Sequence, residues 1–289
     1  MSIDVLGNHG SQSPSDYDVI SLTGRDNAVH LDTTIMLEQF KAEPRPSKVD
    51  RGLKNLKFRS TSTYARHEFN RTWMRDMAYL YAKARQVNSI ESLYVEIGRS
   101  FQGGQKNRLT RCLEILEKWL GAVPKTVTLG DALLRLREHL SIAILNSQTY
   151  WDRRVHHHFD QTGCVRAWIK PKREANDLIV FHLAPCKRSN IKCGIHKFFG
   201  SRRQTFIAIK NTIDGLGDKA SVQCKQASNE IAQADSDPER LCEDKNCARL
   251  GDVLIAADSG EVPTVAANND GDWIPIAKAL GKELINPCR

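Results

Sequence analysis

The chain has 289 residues, of which 40% are hydrophobic and 26% charged, values ordinary for a globular protein of one large domain or two modest ones. No apolar run approaches the ~20 residues of a membrane-spanning helix, so the sequence excludes a protein built on apolar membrane helices. Residues 1–25 are polar and lack the basic and apolar regions of a signal peptide. We therefore expect a flexible N-terminal segment and a cytoplasmic protein with no membrane partner.

The positive charge is concentrated in one part of the sequence. The net charge is +8, and residues 151–210 carry 13 Lys and Arg against four acids. Such a concentration is typical of nucleic-acid-binding proteins, and a solvated basic surface is the alternative. The predicted nucleic-acid contacts are Arg153, Arg154, Lys170, Lys172, Arg173, Lys187, Arg188, Arg202 and Arg203.

Strand and helix patterns alternate near the N-terminus. They predict, in order, a strand at 28–32, a helix at 33–42, a loop at 43–48 and a strand at 56–62. A further helix begins near Thr63, because its apolar residues recur at steps of three and four.

The middle of the chain is less regular. Two amphipathic patterns within 105–147 predict a helical hairpin. The basic segment 151–210 is more β-prone, with a buried strand predicted near 178–184. Phe198 and Phe199 either belong to the core or stack on bases, and the sequence leaves both interpretations open.

The C-terminal segment is the most regular part of the sequence. A helix opens at Asp252, a strand follows at 264–266, and an Asn/Asp turn leads into a helix and a last strand at 283–287. Alternating strands and helices with short loops predict an α/β fold with a parallel sheet.

Acidic residues stand where helices begin after the predicted strands. They are Asp32, Glu68, Asp252, Asp270 and, two residues further, Asp272. Any one of them, Asp32 included, could simply cap a helix. The carboxyl ends of parallel strands lie on one edge of the sheet, however, so these acids can converge. Converging carboxylates repel one another unless a hard cation such as Mg²⁺ or Mn²⁺ binds them.

These segments together resemble the PIN-domain nucleases. The matching text is LDTTIML around Asp32, STSTYARHEF around Glu68, LGDVLIAADS around Asp252, and ANNDGDWIPIAKALGKELINP at the end. The closing turn departs from the family pattern only where a threonine is replaced by Asn268. Thr33 and Thr34 supply the hydroxyls that the family has after its first aspartate.

The resemblance implies a PIN-like three-layer α/β/α core, formed by 26–85 and 240–289, with an insertion at 86–239 that is mostly helical and partly β. It also implies a metal-dependent endoribonuclease whose Asp32, Glu68, Asp252 and Asp270 are catalytic and, with Asp272, bind Mg²⁺ or Mn²⁺. RNA is then favoured over DNA as the partner. The alternatives are a catalytically silent scaffold that binds RNA or protein and a DNA or structure-specific nuclease. A toxin or defence role, a homodimer and a protein regulator are left open.

The eight cysteines are expected to be thiols or metal ligands, since no secretion signal favours disulfides. Zn²⁺ could be bound by Cys186, Cys193 and His196, with Cys164 or Cys224, and Cys242 and Cys247 could supply another pair. These spacings are looser than structural zinc sites prefer, so free thiols are the default interpretation. Residues 156–158, all histidine, are predicted to be an exposed run facing phosphate rather than a metal site. Nucleotide-binding glycine motifs do not occur.

Overall fold

A parallel sheet of five strands organises the fold. The computed structural model describes residues 27–42, 47–101, 105–121, 128–183, 186 and 193–289. The strands of the sheet are β1 (Ala28–Leu31), β2 (Phe58–Ser62), β3 (His157–Phe159), β6 (Thr264–Ala266) and β7 (Glu283–Ile285), and they lie in the order β3-β2-β1-β6-β7. A separate antiparallel pair joins β4 (Lys172–Arg173) to β5 (Ile179–Val180). The predicted α/β class with a central parallel sheet is therefore confirmed.

Thirteen α-helices lie in the described part of the chain. They are α1 (Thr33–Ala42), α2 (Lys48–Gly52), α3 (Thr63–Phe69), α4 (Arg75–Ala84), α5 (Ile90–Ser100), α6 (Lys106–Gly121), α7 (Leu129–Arg154), α8 (Ile195–Ser201), α9 (Arg203–Asp214), α10 (Val222–Ser236), α11 (Asp244–Arg249), α12 (Gly251–Asp258) and α13 (Asp270–Ala279). A π-helical segment, Asn70–Met74, joins α3 to α4. The predicted hairpin is present as α6 and α7, and α7 continues to Arg154.

The middle segment contains the main departures from the predicted elements. The histidine run is not simply an exposed basic run, because His157–Phe159 is an edge strand paired with β2. Partial burial also lowers the pKa of His157 and His158, which favours the neutral rings. Of the strand predicted near 178–184, the described residues form only β5. Short apolar runs do not distinguish strand from buried helix by periodicity alone.

A single hydrophobic cluster runs through both the predicted core and the predicted insertion. Phe198 and Phe199 are 3% and 1% exposed and pack against Phe206, so they are core residues rather than an open platform for bases. Asp76 is fully buried in α4, where Arg108 and Arg111 of α6 bind it at 2.7 and 2.9 Å. The boundary between core and insertion at 86–239 stays a prediction, since β3 lies in the shared sheet.

Residues 1–26, and with them the predicted flexible segment, lie outside the described part. Within that part, no helix combines the length and apolar character needed to cross a membrane.

Candidate active site

Asp32 lies where β1 passes into α1. Its backbone N–H donates to the carbonyl of Ala266 at 3.0 Å, which extends the β1–β6 pairing by one residue. The carboxylate Oδ2 accepts hydrogen bonds from Thr34 N at 3.2 Å and Thr34 Oγ1 at 2.5 Å, the geometry of a helix cap. The other oxygen, Oδ1, is buried without a hydrogen-bond partner among the described residues. Asp32 thus caps the helix with one oxygen and leaves the second available.

Burial raises the pKa of Asp32, although the hydrogen bonds from Thr34 and Thr33 lower it in part. The aspartate is 2% exposed. A buried carboxyl with an unpaired oxygen is costly to keep charged, and such groups are candidates for functional sites.

Glu68 approaches Asp32 from the second turn of α3. The hydroxyl of Ser62 begins this helix by accepting a hydrogen bond from Tyr64 N at 3.0 Å. Glu68 Oε2 accepts a hydrogen bond from Thr33 Oγ1 at 2.7 Å, which links it to the residue after Asp32. Burial, and next the charge of Asp32, raise the pKa of Glu68 to about 7.

Asp252 comes from the first turn of α12, where the helix dipole favours a negative charge. Burial raises the pKa of Asp252 well above its usual range, with further contributions from Asp32, Glu68 and Asp272. Gly251 matters for the packing here, because a Cβ at this position would collide with Glu68 Oε1. Three of the five predicted acids, from three separate elements, therefore lie near one another at the carboxyl edge of the sheet.

Asp270 is the predicted site residue that does not join this group. Its carboxylate pairs with Arg289 at 2.8 Å and accepts a hydrogen bond from Asn286 at 2.9 Å. Asp272, two residues further, is 5% exposed, and its charge adds to burial and to the charges of Asp32 and Glu68 in raising the pKa of Asp252. Asp272 is held by Ser221, which precedes α10, and by Asn269. The structure thus places Asp272, rather than Asp270, beside the other acids.

A cavity of about 220 Å³ opens onto these residues. Its walls include Glu68, Gly251, Asp252 and Asp272 together with residues of α10. It is smaller than the ~300–1,000 Å³ typical of sites for drug-sized ligands. Its size suits a hydrated ion and a phosphate group rather than a whole nucleotide.

Two arginines near the acids were not singled out from the sequence. Arg71, one helical turn after Glu68, lies close enough to Glu68 to oppose the rise of its pKa. Arg249 lines the cavity and pairs with Glu230 at 3.0 Å. Spacing gives a signal for Arg71, since residues three apart share a helix face. The position of Arg249 depends on how α11 packs and has no such signal.

The donor set fits a hard divalent cation. The converging groups are carboxylate oxygens, and Asp32 Oδ1 lacks a partner among the described residues. In the described part of the chain, no three His, Cys, Asp or Glu side chains already surround one point as metal ligands. Mg²⁺ commonly binds through one or two carboxylates plus waters and substrate phosphates, so it does not need a closed cage.

The nine predicted nucleic-acid contacts divide into distinct groups. Arg154 binds Asp50 at 3.0 Å, Arg202 donates to Gln161 at 2.8 Å, and Arg203 pairs with Asp235, so these three make contacts within the protein. The exposed members are Arg153, Lys170, Lys172, Arg173 and, despite its ion pair, Arg203. Lys187 and Arg188 lie outside the described residues.

The exposed basic strand β4 lies far from the acids. Arg85, just after α4, donates to the carbonyl of Asn176 in the β4–β5 connection at 2.8 Å. Arg85 follows Glu68 by 17 positions along the nearly continuous helical run from Thr63, or about 25 Å at ~1.5 Å per residue. The pair of strands β4 and β5, here called the basic hairpin, could therefore contact a distant part of a long nucleic acid but not a group bound at the acids.

The chain was also compared with known proteins. No family model matches it, and neither the curated proteins nor the solved structures contain a match.

Proposed function

We propose that the chain is a metal-dependent endoribonuclease with a PIN-like three-layer α/β/α core. The single observation that carries the proposal is the convergence of Asp32, Glu68 and Asp252 at one sheet edge with raised pKa values. Acids that are buried together, and whose pKa values stay raised although an arginine lies nearby, destabilise a fold unless the charge has a use. The resemblance of the surrounding segments to PIN-domain nucleases, and the basic excess of residues 151–210, add to this.

Asp32, Glu68 and Asp252 would hold Mg²⁺ or Mn²⁺, with Asp272 beside them. The ion would supply Lewis-acid activation of water and charge stabilisation at the phosphoryl group. The protein's own contribution is positioning. Thr34 fixes one oxygen of Asp32, and Thr33 fixes Glu68.

Positively charged side chains in two regions, one near the acids and one far from them, would bind the substrate. Arg71 and Arg249 lie near the acids, where a scissile phosphate would bind. Lys170, Lys172 and Arg173 would contact the strand further along, and their contribution would weaken with salt, as phosphate contacts do. This division predicts that substrates too short to reach the basic hairpin are bound less tightly.

The experiment that tests the proposal is cleavage of labelled single-stranded RNA and DNA in Mg²⁺, Mn²⁺ or EDTA. Wild type is compared with Asp32→Asn, Asp272→Asn and Asp270→Asn. We expect metal-dependent cutting of RNA that Asp32→Asn abolishes and Asp272→Asn strongly reduces. Asp270→Asn serves as the matched control and retains most activity, because the contacts described for Asp270 are with Arg289 and Asn286 rather than with the other acids.

Each alternative has its own outcome. A folded protein that binds RNA without cutting it would make the chain a binding scaffold, with Asp32 acting only as a helix cap. Preferential cutting of DNA would make it a DNA nuclease with the same acids. Loss of activity in Asp270→Asn equal to that in Asp32→Asn would contradict the site as the structure arranges it.

A further inference from the structure

A second group of reactive side chains lies outside the carboxylate site. Cys164, Cys193, Cys242 and Cys247 are each buried, between 2% and 8% exposed, and Cys186 is partly exposed. These thiols come from well-separated parts of the sequence. All of them are free thiols in the structure.

Cys242 lies beside two side chains of kinds that bind metals. Its Sγ lies 3.4 Å from His196 Nδ1. Burial, and next Cys193, raise the pKa of the Cys242 thiol, so Cys193 also lies close to it. A tetrahedral zinc site with Zn–S of ~2.3 Å and Zn–N of ~2.0–2.1 Å has a sulfur–nitrogen edge of about 3.5 Å. The observed separation matches that edge.

Cys186 lies within electrostatic range of both Cys193 and Cys242. Arg166 Nη1 donates to Cys186 Sγ at 3.1 Å and also pairs with Asp244, so a cation stands beside this thiol. A Cys₃His site with zinc carries a net charge of −1, which Arg166 would offset.

The backbone brings the Cys193 segment against the Cys164 segment. Gly194 N donates to Gly163 O at 3.0 Å, and a Cβ on Gly194 would lie 2.9 Å from Gly163 Cα. Only glycine allows the two chain segments to cross this closely. Cys193 then directly precedes α8, and His196 lies in the first turn of the same helix, so a Cys-x2-His pair is presented from one turn.

We propose that Cys186, Cys193, His196 and Cys242 form a structural Zn²⁺ site. In the structure Cys242 contacts His196 and lies near Cys193 and Cys186; among the described residues no three of these side chains yet surround one point, and the ion would draw them together. Zinc would fasten the start of α8 to the Pro238–Cys242 turn, which leads through α11 to Asp252. Cys224, an alternative ligand from sequence, instead lines the carboxylate cavity and plays no part.

The test is the metal content of the full-length protein, purified without chelator after expression with zinc, measured by plasma mass spectrometry. We expect one zinc per chain in the wild type and in Cys112→Ser, which changes a buried cysteine of α6 outside the cluster. Cys193→Ser and Cys242→Ser should lose the zinc. Replacement by Co²⁺ should give the thiolate charge-transfer band of a tetrahedral site in the wild type and in Cys112→Ser but in neither cluster variant.

Some results would overturn the proposal. They are absence of zinc and of the cobalt band in the wild type, zinc retained in both cluster variants, or a Cys193–Cys242 disulfide found by non-reducing peptide mapping. If the serine variants do not fold, the folded wild type still decides, because modifying its thiols with a mercurial must release zinc to an indicator. Asp32→Asn should keep its zinc, so failure of the nuclease proposal and failure of this one are separate results.

Discussion

Replacing Glu68 by glutamine should stabilise the protein while it removes activity. The amide keeps the size of the carboxylate, and its oxygen can still accept the hydrogen bond from Thr33 Oγ1. The substitution removes the negative charge of Glu68, which burial and the nearby charge of Asp32 both disfavour. Glu68→Gln therefore separates the stability of the fold from the function of the acids.

The magnitude follows from the pKa. The pKa of Glu68 is raised from 4.5 to about 7, which corresponds to about 3 kcal/mol at ~1.4 kcal/mol per pH unit. Glu68 is partly exposed along the cavity, so solvent screening makes this an upper limit. An acid with a raised pKa weakens the folded state as pH rises from its unfolded to its folded pKa. The penalty is thus absent below about pH 4.5 and complete above about pH 7.

The assay is thermal unfolding in EDTA at several pH values, with Glu117→Gln on the exposed face of α6 as the matched control. At about pH 8 we expect Glu68→Gln to melt up to roughly 10 °C above wild type, at ~2–4 °C per kcal/mol. The difference should vanish at about pH 4, where both proteins are neutral at this position. Excess Mg²⁺ should reduce the difference at neutral pH, because it stabilises only the protein that binds it.

A variant less stable than wild type at every pH, or one whose advantage does not depend on pH, would refute the reasoning. Either result would mean that the Glu68 carboxylate makes favourable contacts that outweigh its burial. Glu117→Gln should show no pH-dependent difference from wild type.

Three further predictions concern packing. Gly251→Ala should lower cleavage at least tenfold by displacing the Glu68 carboxylate, whereas Gly98→Ala, with open space around its Cβ position, should leave the rate unchanged in the same assay. Asp76→Ala should lower the free energy of unfolding by about 3–5 kcal/mol in denaturant titrations, because it removes the buried acid with which Arg108 and Arg111 pair in the wild type. Phe198→Ala should cost about 3–5 kcal/mol as a core cavity, and RNA affinity measured on the folded fraction should not change if the ring is purely structural.

The sequence predicts the central sheet well where local signals agree. β1 is a run of apolar residues ending at a capping aspartate, and β6 is a short apolar strand ending in a turn. For both, hydrophobic pattern and turn chemistry indicate the same element, and the predicted bounds agree with the structure. The edge strand β3 is not predicted, because His157–Phe159 has neither alternating apolar and polar residues nor a turn signal. It is a strand because it pairs with β2.

The sequence predicts which helices contribute acids to the candidate site, but not which side chain of a helix faces the other acids. Asp270 and Asp272 lie in one helical turn, and their positions along the sequence do not show which of them faces Asp252. The choice depends on Arg289 and Asn286, which bind Asp270 from beyond β7, and on Ser221, which binds Asp272 from the insertion. Such partners are tertiary contacts and leave no local signal.

The cysteine cluster shows the same limit in another form. The spacing from Cys186 to Cys193 is loose, and Cys242 is about fifty residues further on, so no zinc motif is visible. The close crossing of Gly163 and Gly194 brings part of the cluster together, and packing of the Pro238–Cys242 turn against α8 brings the rest. Neither contact can be inferred from spacing.

Asp32 shows why a helix cap does not account for the acids. Capping α1 needs one oxygen, and Thr34 already satisfies Oδ2 through two hydrogen bonds. An asparagine would cap the helix about as well and would not repel Glu68 and Asp252. The carboxylates therefore lower stability without improving the local structure, a pattern expected where a charged group serves binding or catalysis. The energetic conflict among three residues distant in sequence is thus stronger support for a metal-binding function than any one of their motifs.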